Sequence, residues 1–148
     1  MRSFKLHSLT ALAAAAGCAA FAQAVETAPL SVTVDGIRNG DGAVIVAAFD
    51  QAAAFEAMDV SKAVALAQIP AAGTKVSVTF HDLPHGTYAF AALHDEDLDG
   101  DLGMNGEVPT EGYAFAAMGR RGLPSKFEDA AVANGETAGS TLRLKYWN

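Results

Sequence analysis

The chain has 148 residues, a formal charge of −7 and a single cysteine. An acidic surface repels phosphate backbones and anionic headgroups, which argues against nucleic acid as a partner and against simple electrostatic docking to lipid. One cysteine excludes an internal disulfide framework, so stability has to come from a packed core.

The first residues read as a secretory signal. Arg2 and Lys5 form a basic start, Leu9 to Ala20 a short apolar run, and Ala22-Gln23-Ala24 a small-x-small site. Residues 1–24 are therefore expected to be removed, leaving residues 25–148 as one domain in the periplasm or outside the cell. The apolar run is shorter than the ~20 residues a spanning helix needs. Gly17-Cys18 supports an alternative, a lipoprotein signal acylated at Cys18. Loss of Arg2 and Lys5, with no acid lost, makes the remainder more acidic by two charges. No second long apolar run follows, so no transmembrane segment is expected in the mature chain.

Val25 to Pro29 reads as a loose tail. Leu30 to Val34 alternates apolar and polar residues, as a half-buried strand does. Asn39-Gly40-Asp41-Gly42 is a turn signal, and Ala43 to Phe49 reads as the second strand of a hairpin. Gln51 to Met58 has the composition of a short helix. Strands are expected over Ala63 to Ile69, Lys75 to Phe80, Thr87 to Leu93 and Thr141 to Tyr146. About seven short strands at regular spacing predict an all-β fold, a Greek-key β-sandwich of immunoglobulin or prealbumin type with one short helix. In Leu83-Pro84-His85-Gly86-Thr87-Tyr88, Pro and Gly make a corner. Tyr88 is expected to bond back to upstream backbone, as in the tyrosine corner of such sandwiches.

After Leu93 comes His94-Asp95-Glu96-Asp97-Leu98-Asp99-Gly100-Asp101-Leu102, with five carboxylates in seven residues. Asp95, Asp97 and Asp99 occupy positions 1, 3 and 5 of a calcium loop, Gly100 position 6, and Asp101 position 7. Crowded carboxylates repel, and a hard cation that takes six to eight oxygens relieves them. Position 12 is Gly106, with Glu107 one residue late, and position 9 is Gly103. The last ligand then comes from Glu107, Asn105 or Glu111. The expected metal set is Asp95, Asp97, Asp99, Asp101 and Glu107, with calcium as the ion. The competing reading is a solvated acidic turn whose aspartates cap backbone amides.

No nucleophile elbow, catalytic cysteine or phosphate-binding fingerprint is present. His81 and His94 are too far apart along the corner and strand, about 20 Å, to share an ion. Gly119-Arg120-Arg121-Gly122 is a basic island, read as a solvated turn or as an anion contact. Tyr113, Phe115 and Phe127 are read as core packing, against an exposed aromatic surface for a ligand.

Phe80-His81-Asp82-Leu83-Pro84-His85-Gly86-Thr87-Tyr88 leads into His94-Asp95-Glu96-Asp97 and Asp99-Gly100. Pro109 to Phe115 then follows as P-x-E-G-Y-x-F, and Pro124 to Ala131 closes the series. Together these resemble the DUF2141 family of exported bacterial proteins over essentially the whole mature chain. The family loop has amides where this chain has Asp97 and Asp99, and an Asp where Gly103 stands. The first change adds negative charge and the second removes a ligand. The corner is similar, more distantly, to transthyretin-like and carboxypeptidase-regulatory sandwiches, which are mainly binding or accessory modules.

The expectation is a non-enzymatic binding or accessory domain, with no catalytic or cofactor-binding residues and an envelope or extracellular protein or ligand as partner. Its rivals are an envelope structural protein with no small ligand, and a hydrolase using Asp95, Glu111 and His94.

Overall fold

The structure, a computed structural model, describes residues 24–135 and 139–147. The expected signal, including Cys18, lies outside them apart from Ala24. Among the described residues no helix is long and apolar enough to cross a membrane.

Two sheets face each other, as the alternating segments predict. The chain runs β1 (Thr27–Asp35), β2 (Ala43–Phe49), α1 (Ala52–Glu56), a 3₁₀ turn (Val60–Lys62), β3 (Ala65–Pro70), β4 (Lys75–Pro84) and β5 (Thr87–Asp95). It continues through β6 (Met104–Asn105), β7 (Val108–Pro109), β8 (Gly112–Phe115), α2 (Phe127–Ala130), β9 (Val132–Ala133) and β10 (Ser140–Arg143). One sheet has the order β10-β1-β4. The other has β3-β2-β5-β8, with β9 also on β5, while β6 and β7 form a separate ribbon.

Period-two patterning assigns the faces. Leu30, Val32 and Val34 of β1 point inward and are buried against Val44, Val46, Phe90 and Leu142. Phe80 of β4 and Phe90 of β5 stack across the gap at 5.8 Å between ring centroids. The opposite face of β1 and β4 carries hydroxyls, with Ser31 on Thr79 at 2.8 Å and Thr33 on Ser77 at 3.0 Å. Burial of such strand faces, at roughly 25 cal/mol per Å² of apolar surface, is the main force holding the sheets together.

The structure departs from the sequence expectation in several places. β1 and β2 are not a hairpin, because β1 pairs with β4 and β10 while β2 pairs with β3 and β5. Asn39 to Gly42 is instead a crossing between sheets. The tail is not loose from Thr27 on: Thr27 pairs with Pro84 and Ala28 with Leu83, because β4 runs on to Pro84. Gly112–Phe115 is a strand on β5. A second helix, α2, is added to the one expected; the Phe127 amide donates to Glu56 Oε1 at 2.9 Å, so the carboxylate of the last residue of α1 holds the first turn of α2.

The corner behaves as predicted. The Tyr88 hydroxyl donates to the Pro84 carbonyl at 2.8 Å. Buried Asn134 reinforces it, donating to the Leu83 and Pro84 carbonyls and accepting from the Gly86 amide.

Candidate functional site

β5 delivers the acidic run to the rim of the five-stranded sheet, where the strand gives way to a turn. Asp95 is its last residue and is buried, while Asp97 and Asp99 are exposed. One carboxylate oxygen from each of Asp95, Asp97 and Asp99 lies within 4.8 Å of the others.

The loop also binds its own backbone. Asp95 accepts the Asp99 amide at 3.2 Å and the Gly100 amide at 3.0 Å, one on each oxygen. Asp97 accepts the Asp99 amide, and Asp99 accepts the Asp101 amide at 2.8 Å. A carboxylate offers about four lone-pair sites, so these bonds leave acceptor capacity on every member. Leu98 and Gly100 take positive φ, 64° and 83°, which curls the chain around the carboxylates.

Of the five residues expected to hold metal, the structure gathers Asp95, Asp97 and Asp99. Asp101 and Glu107 fall outside this group. Glu111, a local candidate for the last ligand, has another task. It is 5% exposed, and it accepts the Glu96 amide at 2.7 Å and the Gly103 amide at 2.9 Å, clamping both ends of the loop. A Cβ at Gly103 would come within 2.6 Å of Thr110 Oγ1 and 3.3 Å of Glu111 Oε2, so this glycine lets the clamp close.

Behind the loop lies a polar network that local spacing does not reveal. Glu96 receives both prongs of Arg38, Nε at 2.7 Å and Nη2 at 2.6 Å, together with Asn39 Nδ2 at 2.9 Å. Arg38 also donates to the Thr110 carbonyl and lies over the Tyr146 ring. The Arg38 hydrogen bond holds the Glu96 carboxyl below its ordinary range, with partial burial opposing. His94 is fully buried. Its Nε2 meets the Asp41 carbonyl at 2.8 Å and so must donate. In the neutral ring Nδ1 is then the acceptor for the Tyr146 hydroxyl at 2.8 Å. His81 is exposed on β4, in the other sheet, so the two histidines stay apart as the spacing argued.

Arg38 and Asn39 had no signal beyond their turn. Tyr146 did have one, since it shares the inward parity of Leu142 and Leu144.

The outer face of the five-stranded sheet is apolar as well. One half is covered by the helices. Phe55 of α1 meets Phe49, Phe115 and Phe127 edge-on at centroid distances of 5.8, 6.0 and 6.2 Å. The other half is an open groove of about 820 Å³. Ile45, Leu93 and Tyr113, neighbours across three strands, line its floor. Met58 and Val60 flank one side, and Leu102, Met104 and Val108 form the bank after the acidic loop. Leu123 and Trp147 line it as well. The aromatic residues thus divide between the two readings: Phe115 and Phe127 pack on Phe55, while Tyr113, with Phe115, faces the groove.

Fold and site together define a two-sheet β domain with a clamped acidic loop beside an apolar groove. The chain belongs to the family described as an uncharacterized protein conserved in bacteria, DUF2141, whose model matches residues 32–141. No match was found among curated proteins or solved structures.

Proposed function

We propose that this is an exported, non-enzymatic binding module whose acidic loop takes up calcium. The observation that carries the reading is the approach of the Asp95, Asp97 and Asp99 oxygens to within 4.8 Å of one another. Glu111 and Asp95 hold the loop backbone in place, so a cation meets a partly preformed cradle. An open rim with few gathered ligands suits the weak, extracellular range, Kd about 10⁻⁴ to 10⁻³ M. Magnesium, which demands stricter octahedral geometry, suits it less. The hydrolase alternative is disfavoured by the same network, in which both His94 nitrogens are engaged and Glu111 is buried and clamped on two backbone amides. Export rests on the basic, apolar and small-x-small pattern of residues 1–24.

Differential scanning calorimetry tests the metal. Millimolar calcium should raise the melting temperature, and Asp97→Ala with Asp99→Ala should abolish the rise. An unchanged melting temperature at millimolar calcium would leave only a solvated acidic turn.

A further inference from the structure

We infer that the groove on the outer face of the five-stranded sheet binds an elongated apolar molecule carrying a positive charge at one end. The inference is independent of calcium, because it rests on the groove and its rim.

The groove's volume, about 820 Å³, falls in the range of small-ligand sites, roughly 300–1,000 Å³. Its surroundings are unusually apolar for an exposed face. Met58, Val60, Met104, Val108 and Leu123 are each about half exposed, at 46%, 50%, 51%, 49% and 56%. They surround one recess rather than lying scattered, which distinguishes a binding surface from ordinary apolar exposure. The opposite sheet shows the contrast, since its outer face carries the Ser31, Thr33, Ser77 and Thr79 hydroxyls.

The rim sets the charge. Asp101, within the acidic loop, and Glu107, beyond it, border the groove, and neither side chain has a hydrogen-bond or ion-pair partner among the described residues. Among the described residues Arg121 is the one cation lining it, so carboxylates outnumber guanidinium two to one there. The whole chain, at −7, adds to the same field, and a low-dielectric recess focuses it. Lys145 Nζ sits 3.6 Å from the Trp147 ring centroid, so an ammonium already takes one face of that ring and the rim carboxylates alone carry the charge assignment. The Tyr113 hydroxyl is spent, donating to the Gly122 carbonyl and accepting from Trp147 Nε1. It therefore has little left to orient an anionic head.

Trp147 is the only tryptophan of the chain and lines the groove, so its fluorescence reports occupancy. The purified protein is titrated with decyltrimethylammonium below its micelle concentration, and in parallel with decanoate. Saturable change with the ammonium compound, at least several-fold tighter than with decanoate, is expected. Asp101→Asn with Glu107→Gln should weaken it about five-fold, as two exposed charge contacts allow. Leu123→Asp, on an exposed side chain, should abolish saturation. Tighter binding of decanoate overturns the charge assignment, which would then rest on Arg121. Absence of saturation, or a change that merely follows loss of the strand circular-dichroism signal, overturns the site.

Discussion

Arg38 and Glu96 are joined by a two-pronged ion pair, with contacts of 2.7 and 2.6 Å, that ties the crossing between the sheets to the first residue beyond β5. The Arg38 side chain is 31% exposed and that of Glu96 18%, so the pair is partly shielded from solvent. Glu96→Gln should lower stability at neutral pH by about 1–2 kcal/mol, the worth of a hydrogen bond to a charged group. Because the Glu96 carboxyl is held low, chiefly by Arg38, its contribution is fully present above the unfolded carboxyl value of ~4.3. It disappears as pH falls through the folded value. Thermal melts of the two proteins should therefore differ at pH 7 and converge in acid.

Glu111 grips the Glu96 and Gly103 amides at once. Glu111→Ala orphans two partly buried donors and should cost about 2–4 kcal/mol. Amide hydrogen exchange should speed up at Glu96 and Gly103 in particular, while the β1 amides, in the other sheet, keep their relative order. Uniform acceleration would mean that the clamp is not local.

Two glycines with positive φ separate space from conformation. At Gly42, φ 63°, a Cβ would fall 1.9 Å from the Asp95 carbonyl oxygen. At Gly100, φ 83°, it would meet nothing within 4 Å. Gly100→Ala should cost only the left-handed penalty, about 1–2 kcal/mol. Gly42→Ala must also push β2 from β5 and should cost clearly more. Urea unfolding of both variants gives the ordering directly.

Tyr88→Phe removes the 2.8 Å bond to the Pro84 carbonyl and little else. A loss of about 1 kcal/mol is expected, read as a lower urea midpoint at unchanged slope.

What could be read in advance followed from period and local chemistry. Leu30, Val32 and Val34 alternate with hydroxyl residues, which sets both faces of β1, and the Pro84 to Tyr88 corner is a local motif. The closeness of Asp95, Asp97 and Asp99 is likewise local, since they lie two residues apart in one turn. Pairing is not local. Asn39-Gly40 has the chemistry of a hairpin turn, yet Ile37 is buried and Arg38 is anchored on Glu96, and these long-range contacts carry the chain to the other sheet. Glu111 looked like a spare ligand because nothing in its neighbourhood announces two backbone amides reaching it from across the turn. The groove was hidden for the same reason: Met58, Leu93, Met104, Leu123 and Trp147 meet only once the sheet is built.

The parallel pairing of β1 with β10, in register from Val32 with Ser140 to Asp35 with Arg143, makes the beginning of the domain wait for its end. A chain emerging residue by residue has Leu30 to Val34 in hand early, but their flank stays bare until Leu142 and Leu144 arrive. Cutting the chain after residue 139 would open a seam along the first strand and strip His94 of its tyrosine partner. Such a truncated product should be a ready substrate for proteases.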